Sequence, residues 1–234
     1  ESVDKKSPFI VCIEGLVFCG IGGIMFRSLC VLCLFLVVSA CVPDEMLPPA
    51  QRTAQLTDPI HYTSRADGSR TLAPVDVAVF DPNLLRQRVG YETAEAPGTV
   101  IIDTANHHLY FVEGEGWALR YGVAIGREGF GWTGVGHVAR RAAWPTWTPP
   151  AEMIAREPHL AKFKTGMPGG PNNPLGARAL YIYQGNHDTL IRIHGTNSPT
   201  SIGHNASSGC FRMLNQDVID LFARVPDGAK VIVY

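Results

Sequence analysis

The sequence predicts a mainly β domain, a β-sandwich or open barrel of short strands with one or two helices and a site at its rim. Three observations lead there. From about residue 97 onward the chain is a succession of short runs that alternate in polarity or are β-branched. Asparagine and glycine punctuate those runs at hairpin spacing. Only one stretch carries a convincing helical period, and strands in that proportion pack as sheet against sheet.

The chain in order begins with a targeting segment, residues 1–40. Met25-Phe26-Arg27-Ser28 is a short positive region, Leu29 to Val38 is an apolar run, and Val38-Ser39-Ala40-Cys41 follows. This resembles a bacterial lipoprotein signal, which implies cleavage before Cys41 and a diacylglycerol on its thiol. No methionine precedes Met25, so residues 1–24 read as an extended start. The alternative, a transmembrane anchor from Phe9 to Val42, has the length. Glu14 and Arg27 count against it, because a charge in hydrocarbon is costly.

Residues 41–96 are rich in Pro, Ala, Thr, Asp and Arg, and apolar clusters are sparse apart from Val75 to Phe80. That composition predicts a linker with one short element. Residues 97–234 form the folded domain. Strands are expected at Thr99 to Asp103, His108 to Val112, Ala118 to Ile125, Leu180 to Tyr183, Leu190 to His194 and Lys230 to Tyr234, with turns at Asn106, Gly114 and Gly116. The helix follows Asn215, an expected N-cap. Val218, Leu221, Phe222 and Val225 fall at helical spacing, and Pro226 and Gly228 stop it.

Charge excludes one class of function. Net charge is -1, so nothing marks a nucleic-acid partner or a basic face for anionic lipid. Five of the six cysteines, Cys12, Cys19, Cys30, Cys33 and Cys41, precede the folded part, which leaves Cys210 unpaired and excludes a disulfide framework there. An unpaired cysteine is either a small buried hydrophobe or a reactive thiol. Polar neighbours Ser207, Ser208 and Arg212 point to the second.

A thiol becomes a good nucleophile when its pKa is lowered or its proton is removed. His194 lies sixteen positions before Cys210, across a loop marked by Gly203 and Asn205 to Ser208. Alternation along Leu190 to His194 puts Ile191 and Ile193 in the core and Arg192 and His194 on the opposite face. Main-chain N–H groups at Gly209 and Cys210 are the expected donors to an oxyanion.

Two other patterns carry less. Gly129-Phe130-Gly131-Trp132-Thr133-Gly134 fits G-x-G-x-x-G, yet Gly136 to Arg140 after it reads as a strand, so it is a loop rather than a dinucleotide fingerprint. Six of the eight histidines (His107, His108, His137, His159, His194, His204) could in principle hold zinc, but most lie in separate elements without metal-ligand spacing, so no metal site or cofactor is expected. The Pro/Gly-rich segment 145–174 is too long for a simple turn. Within it Trp147 and Met167 either present apolar surface to substrate or pack over the sheet edge.

His194-Gly195-Thr196-Asn197, then Ser207-x-Gly209-Cys210-x-Arg212-Met213, then Asn215-x-Asp217 resembles the signature of the L,D-transpeptidases that remodel peptidoglycan. The run Pro145 to Pro150, the run Gly169 to Leu180 and Val218 to Leu221 are similar to that family in the same order. The resemblance implies that Cys210 is the nucleophile and His194 its base, with the second imidazole nitrogen held by a main-chain carbonyl at Gly195. It further implies that Ser207 is the signature serine, that Arg212 orients the site or binds a substrate carboxylate, and that Asn197 belongs to the substrate-binding part. Phe211 stands where Ile or Val is usual. Implied partners are peptidoglycan stem peptides, cleaved between residue three and D-Ala, with the acyl group passed to a diamino acid amine or an amine-bearing protein. A carboxypeptidase or amidase resolving the same intermediate with water, and a non-catalytic wall-binding lipoprotein, are the rival readings. The implied place is the periplasm, on a membrane through lipidated Cys41.

Overall fold

The computed structural model describes residues 43–127 and 131–234. The signal-like segment, Cys41 and part of the 129–134 glycine run lie outside the described residues. In chain order the first strands are β1 (Gln55–Leu56), β2 (Arg65–Asp67), β3 (Arg70–Leu72), β4 (Gln87–Gly90), β5 (Val100–Asp103), β6 (His108–Gly114) and β7 (Trp117–Gly122). Then come β8 (Ile125–Gly126), β9 (Gly134–Ala143), helix α1 (Ala151–Arg156), β10 (Arg178–Gln184), β11 (His187–His194), β12 (Asn205–Ser207), β13 (Phe211–Arg212), helix α2 (Asn215–Arg224) and β14 (Lys230–Val233).

The expected mainly β architecture is present. Ten strands form one open sheet in the order β1-β4-β7-β6-β5-β14-β9-β10-β11-β13. C-terminal β14 joins its halves, running parallel to β5 and antiparallel to β9. Ile102, Leu109 and Tyr121 from one half share a core with Leu180, Ile182, Ile193 and Phe211 from the other, with Val218 and Leu221 of α2, and with Val225 just after it. Side chains from both halves meet in one cluster only if the sheet bends around the helix.

Segment 41–96 departs from the linker expectation. Over its described residues it carries β1 to β4 and five short 3-10 turns, and β4 pairs antiparallel with β7 in the main sheet. Tyr62, Leu85, Ala124, Ile202 and Leu214 form a second core cluster. Polar contacts complete the docking. The Tyr62 hydroxyl donates to Asp217 Oδ1 (3.0 Å), and Arg86 Nη1 meets Asp220 Oδ1 at 2.8 Å. Composition missed this arm because its buried residues are scattered between Asx turns. Asp58, Asp76 and Asp81 each accept from the N–H two residues on, so aspartate that reads as linker is in fact capping turns.

Helix α2 has the expected apolar stripe, but its start is different. Leu214 occupies the N-cap position with no side-chain cap. Asn215 is the first helical residue, and its amide turns back onto the chain beside His194. Segment 145–174 holds α1 and a 3-10 turn, Pro158–Phe163. It is closed by paired main-chain bonds between Trp147 and Met167 (2.9 and 2.7 Å) and by Asn173 Nδ2, which donates to the carbonyls of Pro145, Met167 and Pro168.

Candidate active site

β11 and β13 lie side by side and parallel, with Ile193 opposite Phe211 and His194 opposite Arg212. Ile193 and Phe211 are buried in the core. Alternation therefore places Arg192, His194, Cys210 and Arg212 together on the other face. The two segments are far apart in sequence, and the strand register is what unites them.

His194 ends β11 and is buried. Its Nδ1 meets the Gly195 carbonyl oxygen at 2.6 Å. A carbonyl only accepts, so Nδ1 carries the hydrogen and Nε2 is left with its lone pair. Gly195 is itself fixed: its N–H donates to Arg178 O (3.0 Å). Asn215 Oδ1 accepts from Ala177 N (2.9 Å) and Thr196 N (3.2 Å), and Asn215 Nδ2 donates to Thr196 O (2.8 Å). A Cβ on Gly176 or Gly195 would collide with that Oδ1, so both positions require glycine. An N-cap and a loop clamp call for the same residue type, which is why sequence placed Asn215 correctly and read its task wrongly. Burial pushes His194 down to about 4, assisted by the charges of Arg212 and Arg192 and opposed by the Gly195 bond.

Cys210 sits on the turn between β12 and β13. Gly209 has a φ of +115°, a region L-residues avoid. Ser207 Oγ donates to Cys210 O (2.5 Å) and accepts from Gly209 N (3.1 Å), closing the turn. This modifies one expectation. The Gly209 N–H is engaged by Ser207, which leaves the Cys210 N–H as the donor of the pair not held by that hydroxyl.

The Cys210 thiol leans on β11, with Sγ 3.7 Å from Leu190 O. Cys210 is half-buried: part of it meets solvent, while its sulfur is crowded enough to lose hydration. Burial raises the thiol above its ordinary value, against the Arg192 N–H and the charges of Arg192 and Arg212. Arg212 is lowered by burial and by the nearby charge of Arg127.

One group at the site was not foreseen. Leu190 has a φ of +62° and is 73% exposed, a strained conformation that turns its carbonyl toward the thiol. Nothing in a leucine announces it. Arg192 is gripped by Asp188 (2.6 and 2.8 Å), and alternation alone put it on the His194 face.

Other expected residues lie elsewhere. Asn197 donates to Asn172 O (3.0 Å) and lines a cavity of about 130 Å³ with Thr71, Trp144 and Gln216. Trp147 and Met167 pair through their main chains, and the Trp147 ring lies 6.3 Å from that of Phe163. These contacts are internal to segment 145–174. Of the glycine run, the described part leads into strand β9 and not into a helix, as a loop reading requires.

Comparison with known proteins identifies the family. The model of the YkuD family, described as an L,D-transpeptidase catalytic domain, matches residues 97–233. The probable L,D-transpeptidase YbiS of Escherichia coli K12 is 37% identical over 138 residues, 56% of this chain and 43% of that protein. ErfK/SrfK of the same strain, also named a probable L,D-transpeptidase, is 34% identical over 141 residues, 56% of this chain and 42% of the other. The chain thus spans less than half the length of these curated relatives. A solved structure from Brucella melitensis, named a probable carnitine operon oxidoreductase, is 50% identical and covers 66% of this chain and 96% of its own, with a TM-score of 0.47. Over the region that contains both His194 and Cys210, the chain belongs to the YkuD family of L,D-transpeptidase catalytic domains.

Proposed function

We propose that the protein is an acyltransferase that cleaves an amide bond of a peptidoglycan stem peptide with Cys210 and passes the acyl group to an amine. One observation carries this reading: a buried imidazole locked as the Nδ1–H tautomer, its Nε2 lone pair free, on the face that also holds an unpaired thiol. His194 Nε2 takes the thiol proton as sulfur attacks the carbonyl carbon. The tetrahedral oxyanion is met by the Cys210 N–H and the positive field of Arg192 and Arg212. When the C–N bond breaks, the imidazolium returns its proton to the departing amine and a thioester remains. An incoming amine then gives its proton to His194, attacks the thioester and expels the Cys210 thiolate, which is reprotonated.

Because His194 is held down and the thiol held up, the free enzyme rests as a neutral pair. His194 acts as a general base during attack. Placement on the outer side of a membrane through lipidated Cys41 fits a polymeric wall substrate. Mass analysis of purified protein incubated with muropeptides tests the reading. We expect cross-linked dimers and release of D-alanine, both absent with Cys210→Ala. Exclusive conversion of tetrapeptides to tripeptides would make water the acceptor, and unchanged muropeptides would remove the proposal.

A further inference from the structure

We propose that the sheet face beside the thiol carries a binding track for an extended, carboxylate-bearing peptide, with Arg140 as its far anchor. The inference deepens the acyltransfer reading and rests on it. In the sheet Arg140 of β9 is the direct partner of Tyr181, and Tyr181 of β10 is the direct partner of Arg192. The β11–β13 register places Cys210 beside Arg192. Direct partners share a face, so one line of side chains runs Arg140, Tyr181, Arg192, Cys210 across four strands.

The two arginines on this line differ. Both stack on the Tyr181 ring, Arg140 with its guanidinium carbon 3.5 Å from the centroid and Arg192 at 4.4 Å. Arg192 spends its donors inside the protein, on Asp188 and on Ile191 O. The charges of Arg192 and Arg140 help hold Asp188 low against the effect of its burial. Arg140 is exposed, and its guanidinium makes no ion pair or hydrogen bond to another described residue. Its guanidinium is thus flattened on an aromatic ring, a contact that restrains it, with a planar fork of donors turned to solvent. That fork suits a carboxylate, and restraint before binding lowers the entropy lost on binding.

Spacing sets the peptide's length. Three strand steps at roughly 4.8 Å separate β9 from β13, about 14 Å in all, and an extended chain rises roughly 3.3 Å per residue. That span is about the length of one extended tetrapeptide, so the carboxylate lies on the far side of a stem from the attacked or attacking atom. It belongs either to the acyl donor or to the acceptor.

Kinetics with synthetic stem tetrapeptides test the track, with donor and acceptor each supplied as the free acid or with carboxylates converted to carboxamides. Arg140→Ala should lower kcat/KM for the acid form of one partner about tenfold relative to its carboxamide form, mainly through KM, and the sensitive partner names the source of the carboxylate. Arg140→Lys should restore part of that preference, since charge returns without the planar fork. Equal losses on acid and amide forms, or no loss on either, would overturn the track. Calorimetric binding of the acid tetrapeptide to the Cys210→Ala protein, with and without Arg140→Ala, separates the two proposals. Wild type that shows no turnover but binds the acid form through Arg140 refutes the reaction alone, and binding indifferent to Arg140 refutes the track.

Discussion

The end of β11 and the turn before β13 deliver His194 and Cys210 to one face by different means. His194 is buried, its ring tied to Gly195 O and its following peptides fixed by Arg178 and by three bonds from Asn215. Cys210 sits half-exposed on a turn closed by a single hydroxyl, with its sulfur only loosely against Leu190 O. In the proposed reaction the base is prepared before substrate arrives, while the nucleophile keeps the freedom to swing toward a carbonyl and back. Preparation of the base matters more here, because burial raises the thiol instead of lowering it. A neutral thiol attacks well only as its proton leaves.

Breaking either partner should separate these roles. Cys210→Ala should abolish turnover and the acyl-enzyme seen by intact-protein mass, with the thermal transition within a few degrees of wild type. A residual acyl adduct in that variant would place the nucleophile elsewhere. His194→Ala should leave the thiol in place but lower acylation by roughly 10² to 10⁴, the range a positioned general base supplies. In rapid-mixing assays an acylation rate within threefold of wild type would deny it that part.

Loosening the histidine's support comes next. Asn215→Ala removes three hydrogen bonds around Thr196 and Ala177, and we expect about 2–4 kcal/mol of lost stability. A fall in kcat of about tenfold should accompany it. Nitrogen NMR of His194 distinguishes positioning from simple loosening: the wild type should show protonated Nδ1 alone, and the variant a mixture of tautomers.

The smallest effect concerns acid. His194 is depressed to about 4 in the folded protein, so between its unfolded value near 6.5 and that point only the unfolded chain takes the proton. Its contribution to stability is full above about 6.5 and is lost as pH falls toward 4, by about 3 kcal/mol. Asp217 works the other way. Burial raises it to about 7, against Arg86 and the Tyr62 hydroxyl. From its unfolded value up to about 7 the folded protein holds the extra proton, so that contribution fades as pH rises. The two slopes oppose one another between about 4 and 6.5. Asp217→Asn removes one of them, and urea midpoints of the variant should fall more steeply with acid than those of wild type.

Sequence revealed these parts unequally. Val100–Asp103, His108–Gly114 and Lys230–Val233 were legible because alternation and β-branching follow the pleat. Cys210 and His194 were legible because a lone thiol among polar residues and a histidine at a strand end are unusual, and the longer signature joined them. The arm was not. Its buried Tyr62 and Leu72 are isolated in sequence, Leu85 and Val89 flank the buried polar pair Arg86 and Gln87, and much of its docking runs through buried polar contacts that no hydrophobic period records. Nor was Leu190, whose left-handed backbone is imposed by its surroundings. The line from Arg140 to Cys210 is invisible in one dimension because strand register alone creates it.

Titration of the free enzyme tests most directly whether the site works from a neutral pair. The ultraviolet absorbance of thiolate, taken as the difference between wild type and Cys210→Ala, should stay flat from about pH 5 to 8 and rise only above the ordinary thiol range. A thiolate signal from Cys210 with a midpoint below neutrality, lost on His194→Ala, would show a resting ion pair and contradict the account.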